Sequence, residues 1–65
     1  MQGQLGDVEV RVVVLVAEGL SNREIGQRLA TSEQLVARQV SQIIHKLDLR
    51  NRVQLAVWAV KQGLY

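Results

Sequence analysis

Apolar residues recur at helical spacing along most of the chain and are separated by short polar stretches. The clearest series falls on one face of an α-helix, because its members are three or four residues apart. It consists of Val36, Val40, Ile43 and Leu47. Ser32, just before this series, is a residue type that caps helix N-termini. The pattern predicts a helix over about Glu33 to Leu47, preceded by a turn at residues 30–32.

The segment Ser-Asn-Arg-Glu at residues 21–24 predicts the start of another helix. In such a capping box the serine hydroxyl accepts the glutamate amide, and the glutamate carboxylate accepts the serine amide. Ile25 and Leu29 then fall on one face of this helix. Gly26 lies within it and costs up to about 1 kcal/mol relative to alanine. We therefore expect Gly26 to allow a close approach between helices.

The first part of the chain favours a helix over about Asp7 to Glu18, with Gly19 ending it. The apolar run at residues 12–16 also has the composition of a β-strand, and a continuous run does not separate the two by periodicity. Helix is favoured because four residues at helical spacing share one face. They are Val13, Val16, Ala17 and Leu20.

A fourth helix is predicted from near Asn51, a capping residue with Gln54 at the third position, to just before Gly63. Its predicted inward face consists of Val53, Ala56, Val57 and Val60. Its predicted outward face consists of Leu55, Trp58, Ala59 and Gln62. An exposed tryptophan in an apolar strip is typical of an interface, and Trp58 folding back against the core is the alternative.

Four helices predict an all-α fold, a four-helix bundle that contains a helix-turn-helix. We expect one domain at residues 5–65, with residues 1–4 as a flexible tail or linker remnant. At 65 residues the chain forms one domain at most. No segment approaches the ~20 apolar residues that cross a membrane, so no membrane partner is expected.

The composition argues against an enzyme and against a metal site. The chain has no cysteine and one histidine, and its six carboxylates lack a recognisable partner constellation. We expect no catalytic residue, no metal and no cofactor.

Positive charge is concentrated in the middle of the chain. Residues 22–52 carry six arginine or lysine residues and three carboxylates, whereas residues 1–21 carry one arginine and three carboxylates. A basic surplus of this kind suits the phosphates of a nucleic acid. An ordinary solvated helix surface is the alternative interpretation.

The predicted third helix has a polar face opposite its apolar series. This face carries Gln34, Arg38, Ser41, Gln42 and His45. These side chains suit base edges and phosphates, because arginine pairs with guanine, glutamine with adenine, and serine with either or with phosphate. A short helix, a turn and a longer helix with such a face form the helix-turn-helix arrangement.

Several stretches carry a family resemblance. Residues 17–25 read Ala-Glu-Gly-Leu-Ser-Asn-Arg-Glu-Ile, and Lys46-Leu47 and Arg-Asn-Arg-Val-Gln at residues 50–54 follow at matching spacing. From Leu5 to Leu64 the chain resembles the DNA-binding domain of LuxR/NarL/FixJ-type bacterial transcription regulators. The resemblance implies a four-helix bundle whose third helix enters the major groove of double-stranded DNA and whose fourth often forms a dimer.

By position, the resemblance implies roles for individual residues. Base reading falls to Arg38, Ser41, Gln42 and His45. Contacts to the DNA backbone fall to Asn22, Arg23, Ser32, Lys46, Arg50 and Arg52. The dimer interface falls to Leu55, Trp58, Ala59 and Gln62. Glu9 is expected to be structural and to pair with an arginine or with an amide near the first helix.

The resemblance also implies that the chain is a response-regulator output domain that works in the bacterial cytoplasm. The expected partners are double-stranded DNA, a second copy of the chain as a homodimer, and an N-terminal receiver or ligand-sensing domain.

The sequence departs from the family pattern at several positions. The family usually has a lysine, a common DNA contact, where Ala37 stands, and often a histidine where Gln39 stands. Gly6 replaces the usual threonine cap, and Asp48 replaces the usual glycine. We expect weaker binding or changed specificity rather than loss of binding, because Arg38 lies next to the missing charge.

The first helix carries surplus apolar residues. Val8, Val10 and Val14 stand where the family tends to be polar, and with Leu15 they make the helix apolar nearly all round. Such a helix is usually buried on more than one side. We expect it to contact a second subunit or a regulatory domain; tolerated surface valines are the alternative.

The competing function is a protein-interaction module on the same fold, with weakened DNA binding. Leu35, Ala37 and the extra valines favour it, whereas the basic surplus and the Arg38 face oppose it. Salt dependence separates the two functions, because binding through several phosphates weakens steeply as salt rises.

Overall fold

The computed structural model describes residues 5–65. The predicted tail at residues 1–4 lies outside the described residues. The helices are α1 (Asp7–Ala17), α2 (Asn22–Leu29), α3 (Glu33–Lys46) and α4 (Arg52–Lys61). Every regular element in the described part is a helix, so the predicted all-α fold of four helices is confirmed, and the apolar run at residues 12–16 is helical.

Side-chain caps begin three of the helices where the sequence predicted them. At α2 the Ser21 hydroxyl accepts the Glu24 amide, and the Glu24 carboxylate accepts the Ser21 amide. Ser32 caps α3, and Asn51 caps α4 by accepting the amide of Gln54. Each cap satisfies amide groups that have no partner inside the helix. α1 begins at Gly6, which has no side chain to cap it.

All four helices end in the same way. After each helix, one amide donates to the carbonyl five residues earlier, as Leu20 does to Leu15 and Thr31 to Gly26. This is the Schellman arrangement, which needs one residue with a left-handed backbone. Those residues are Gly19, Ala30, Asp48 and Gly63. At Ala30 and Asp48, where φ is 58°, a side chain occupies a conformation that glycine adopts without strain.

The core is built around α1. This helix packs most extensively on α4 and also contacts α3 and α2, whereas α2 packs mainly on α3. The buried residues are Leu5, Val12, Val13, Leu15, Val16, Ile25, Val36, Val40, Ile43, Leu55 and Ala59. Among the described residues the core contains no polar or charged side chain. The apolar series of α3 therefore lies inward as predicted, with Leu47 half-buried at its end.

Gly26 packs closely against the turn before α3 and the start of that helix. A Cβ atom built on it would lie 2.9 Å from the Thr31 carbonyl oxygen and 3.3 Å from the Glu33 nitrogen. Both are backbone atoms, so a side chain here would push the turn away. The expectation of a close approach at Gly26 is confirmed, and it sets the distance between the two helices of the helix-turn-helix.

Neighbouring helices within the chain cover much of the apolar circumference of α1. Leu15, which the sequence placed among the surplus apolar residues, is buried in the core. Val10 and Val14 are half-buried, and Val8 is exposed. No external partner is needed for Leu15, because α1 is covered by three other helices.

The predicted faces of α4 were wrong. Leu55 and Ala59, assigned to the dimer interface, are fully buried against the core, whereas Val53, Val57 and Val60, assigned to the inward face, are exposed. Ala56 and Trp58 are half-buried and pack against the core, and Gln62 is exposed at the end of the helix. α4 is apolar around most of its circumference, so its own sequence did not determine which side meets α1.

Within residues 5–65, none of the helices is long and apolar enough to span a lipid bilayer.

Candidate nucleic-acid interface

The outer face of α3 is polar and open to solvent. The helix is held on its other side by the fully buried Val36 and Ile43. Arg38, Ser41, Gln42 and His45, predicted to read bases, are all exposed. Within residues 5–65 none of these four side chains makes a hydrogen bond or an ion pair, so their donors and acceptors are available to a ligand.

Residues predicted to contact phosphates lie at the start of α2, at the start of α3 and around the α3–α4 connection. Arg23, Ser32 and Arg50 are exposed. The Ser32 hydroxyl accepts the Leu35 amide at 3.0 Å, and a hydroxyl that accepts still has its own hydrogen to donate. The starts of α2 and α3 also carry the positive ends of the helix dipoles, which favour anions.

Arg52 joins the start of α4 to the start of α2. Its guanidinium donates to the Asn22 side-chain oxygen at 2.6 Å and to the Leu20 carbonyl oxygen. Both contacts are partly buried. Two side chains that the sequence assigned to the DNA backbone are thus bonded to each other, and the guanidinium fixes the loop before α2. The Asn22 amide group keeps its two donors, because only its oxygen is used.

Glu9 and Lys46 form an ion pair between α1 and the last turn of α3. The Lys46 ammonium lies 3.0 Å from Glu9 Oε1 and 3.1 Å from Oε2, and Oε1 also accepts the Gly6 amide at 3.0 Å. Of the two alternatives expected for Glu9, an arginine or an amide, the amide is confirmed, and Lys46 is a second partner that was not expected. The Gly6 amide first, and Lys46 second, hold the pKa of Glu9 below its usual value.

The contact between Glu9 and Lys46 is expected to weaken when Glu9 is replaced by glutamine. Because the pair is partly exposed, we expect a loss of about 0.5 kcal/mol in unfolding free energy. The pKa of Glu9 is lowered on folding, so this stabilisation is present above the unfolded value of 4.5 and is lost as pH falls through the folded value. Urea unfolding of both proteins at a series of pH values measures it.

Glu18→Gln is the matched control, since Glu18 is an exposed carboxylate at the end of the same helix. We expect this variant to show the same pH dependence of the unfolding free energy as the wild type. If Glu9→Gln lowers the unfolding free energy, relative to the wild type, by as much at about pH 3 as at neutral pH, the interaction does not depend on the Glu9 charge.

Sequence reasoning missed three of these contacts. Glu9 and Lys46 are 37 residues apart, Arg52 and Leu20 are 32 apart, and Arg52 and Asn22 are 30 apart. No local pattern links residues at such separation. The only indication was the presence of a carboxylate and cations without local partners on separate helices.

Comparison with known proteins identifies the domain. Residues 4–59 match the family described as bacterial regulatory proteins, luxR family. The chain belongs to this luxR family. The match covers the helix-turn-helix and most of α4, and it confirms the resemblance drawn from the motifs.

Individual relatives are regulators of several bacteria. The chain is 38% identical over 60 residues to the transcriptional regulatory protein LnrK of Bacillus subtilis, a match that covers 92% of this chain and 27% of LnrK. It is 34% identical over 62 residues to the nitrate/nitrite response regulator protein NarL of Escherichia coli, covering 95% of this chain and 29% of NarL. A putative HTH-type transcriptional regulator of Mycobacterium bovis is 43% identical over 61 residues, covering 94% of this chain and 7% of that protein. The chain thus spans less than a third of these relatives.

Of the four departures from the family pattern that the resemblance implied, Ala37, Gln39 and Asp48 lie on α3 or just after it, and Gly6 precedes α1. Ala37, at the position of the usual lysine, is exposed next to Arg38, and Gln39 is half-buried. Asp48 adopts the left-handed backbone that the usual glycine would adopt freely. The outer face of α3 is therefore open to solvent but carries a different set of side chains from the one that the resemblance implied.

Proposed function

We propose that this domain binds double-stranded DNA sequence-specifically in transcription regulation, with α3 in the major groove. The observation that carries the proposal is the exposed donor face of α3, rigidly backed by the buried Val36 and Ile43. An α-helix fits the major groove, where each base pair presents its own pattern of donors and acceptors. Names of the relatives, which include a nitrate/nitrite response regulator, support regulation as the setting.

Base reading in this proposal falls to Arg38, Ser41, Gln42 and His45. Backbone contacts fall to Asn22, Arg23, Ser32, Lys46 and Arg50, with helix N-termini adding amide donors. Arg52 acts in this scheme by holding Asn22 in place, because its guanidinium already donates to Asn22 and Leu20. In this scheme Lys46 leaves the Glu9 carboxylate and binds a DNA phosphate instead.

Salt dependence tests the proposal against protein pairing through apolar surfaces. We expect the logarithm of the association constant to fall with the logarithm of salt, with a slope of roughly −3 to −4 for three to four phosphate contacts. Fluorescence anisotropy with duplexes selected from random DNA measures this slope. Binding that is insensitive to salt between about 50 and 200 mM would favour the interaction module.

Arg38→Ala separates base reading from phosphate binding. We expect affinity for the selected duplex to fall by about tenfold or more, with preference lost at one base pair and the salt slope retained. Lys61→Ala is the matched control, because it removes one positive charge from an exposed position on α4. A uniform loss across all sequences, with a slope reduced by about 1, would assign Arg38 to phosphate instead.

We further propose that the domain dimerises through the exposed face of α4. Val53, Val57 and Val60 lie four and three residues apart, so they share this face. Trp58 is half-buried beside Val57 at the edge of a shallow cleft that Leu49 also lines. This valine face replaces the interface assigned from sequence, because Leu55 and Ala59 are in the core. A dimer would match two half-sites on DNA.

Sedimentation of Val57→Lys tests the dimer. We expect the wild type to sediment as a dimer and Val57→Lys as a monomer, because a lysine in an apolar interface loses its hydration. Val8→Lys is the control, since Val8 is a similarly exposed valine on α1. Dissociation by Val8→Lys alone would move the interface to α1, where the sequence had suggested a further contact.

A regulatory N-terminal domain remains part of the proposal for the whole protein. The relatives are several times longer than this chain, and a receiver or ligand-sensing domain would supply the signal. The bacterial cytoplasm is the proposed location, since a transcription regulator works where the chromosome is.

A further inference from the structure

Leu35 differs from the other described leucines of this domain in the exposure of its side chain. Within residues 5–65 it is the one leucine whose side chain is exposed; the others are buried or half-buried. Its exposed fraction is 46%. It lies in the first turn of α3, where the Ser32 hydroxyl accepts its amide at 3.0 Å and fixes the backbone. A rigidly placed apolar side chain therefore protrudes from the start of the DNA-facing helix.

The position of Leu35 relates it to the base-reading residues. Arg38 and Gln42 are three and seven residues further along α3, so all three lie on the same side of the helix. Side chains on a helix tilt towards its N-terminus, and the N-terminal residues of a recognition helix are those that contact base edges. Leu35 thus adds an apolar patch to the otherwise polar face of α3, at the N-terminal end of the helix.

We propose that Leu35 recognises the C5-methyl group of a thymine next to the base pair that Arg38 reads. This inference rests on the proposed function, because it assumes that α3 enters the major groove. The thymine methyl is the apolar group that a base pair presents there, and apolar side chains recognise it by contact. The preferred DNA half-site then contains a thymine adjacent to the position whose preference Arg38 sets.

The same contact explains how an exposed leucine fits a DNA-binding face. In the free protein Leu35 leaves apolar surface in water, which is unfavourable. Docking against a thymine methyl removes water from both groups. Burial of one methyl-sized group changes an equilibrium constant by about three- to fivefold. An unmethylated base at that position gives no such gain.

Replacing single thymines by deoxyuridine tests this inference. Deoxyuridine keeps the pairing and the O4 acceptor and lacks only the methyl group. The duplex is one selected from random DNA by the wild-type domain, and selection with Arg38→Ala marks the position that Arg38 reads. We expect one substitution, at a neighbouring base pair, to weaken wild-type binding by about three- to fivefold.

Leu35→Ala should bind the thymine and deoxyuridine duplexes equally, because alanine is too short to reach the methyl. Val8→Ala is the matched control: it shortens an exposed apolar side chain on α1, outside the proposed DNA-binding and dimer surfaces, and should keep the wild-type discrimination. Circular dichroism of each variant verifies that the helices are intact.

The outcomes separate a failure of this inference from a failure of the proposed function on which it rests. Selected DNA that binds tightly but is insensitive to deoxyuridine at every position would overturn the role of Leu35 and leave DNA binding in place. Discrimination that persists in Leu35→Ala would also overturn it. A domain that binds no duplex in a salt-dependent manner would instead overturn the proposed function.

Discussion

Replacing Leu55 with alanine is expected to unfold a large fraction of the domain at room temperature. Leu55 is fully buried on the side of α4 that faces the core. Leucine-to-alanine changes in cores cost about 2–5 kcal/mol, because transfer energy is lost and a cavity remains. A domain of this size has only about 3–5 kcal/mol of core stabilisation to lose. Urea unfolding followed by circular dichroism measures the effect.

Val53→Ala is the control for Leu55, since Val53 lies two residues away on the same helix and is 71% exposed. We expect a change within about 0.5 kcal/mol in the unfolding free energy of the monomer, where this position lies on the surface. The opposite pattern, with Val53 sensitive and Leu55 tolerant, would restore the helix orientation first predicted from the sequence. The pair of variants therefore measures which face of α4 is inside.

Gly26→Ala is expected to destabilise the domain by roughly 2 kcal/mol, the cost of forcing an extra atom into a packed contact. This result is opposite to helix propensity, which favours alanine by about 1 kcal/mol. The new Cβ would meet three backbone atoms, of which the Thr31 carbonyl oxygen is the nearest at 2.9 Å. Backbone cannot rotate away as a flexible side chain can, so the turn before α3 must move.

Displacement of this turn should also affect DNA binding. α3 begins at Glu33, whose nitrogen is another of the three atoms. We expect Gly26→Ala to weaken binding even at temperatures where the variant is fully folded, because the start of α3 is shifted relative to α2. Gln27→Ala is the control: Gln27 is exposed on the same helix and gains propensity without the clash. Equal stability and affinity in both variants would contradict the close approach.

Local sequence rules were sufficient for the helices and most of their ends. Ser21 with Glu24, Ser32 and Asn51 cap the helices that they were predicted to cap. Such contacts join residues three apart, so the information lies within one turn of chain. The outer face of α3 was predictable for a related reason. Its apolar series is narrow, so burial of Val36 and Ile43 forces Arg38 and Gln42 outward.

Contacts between distant residues were not predictable in this way. Lys46 pairs with Glu9, and Arg52 donates to Asn22 and Leu20, so two cations assigned to phosphate contact side chains of other helices or the loop before α2. Which cation meets which acceptor depends on the angles at which α1, α3 and α4 pack. Those angles follow from the whole set of core side chains.

The amino-acid sequence by itself determined the four helices and most of their ends, which side of α3 is outside, and the need for glycine at position 26. Only the tertiary structure decided which face of α4 is inside, and which residues of α1, beyond the predicted face with Val13 and Val16, the other helices cover. Both helices are apolar around most of their circumference, so burial of several different faces would remove similar apolar area from water. The structure selects Leu55 and Ala59 for the core and leaves Val53, Val57 and Val60 exposed, because the inward face of α4 must fit the surface of α1.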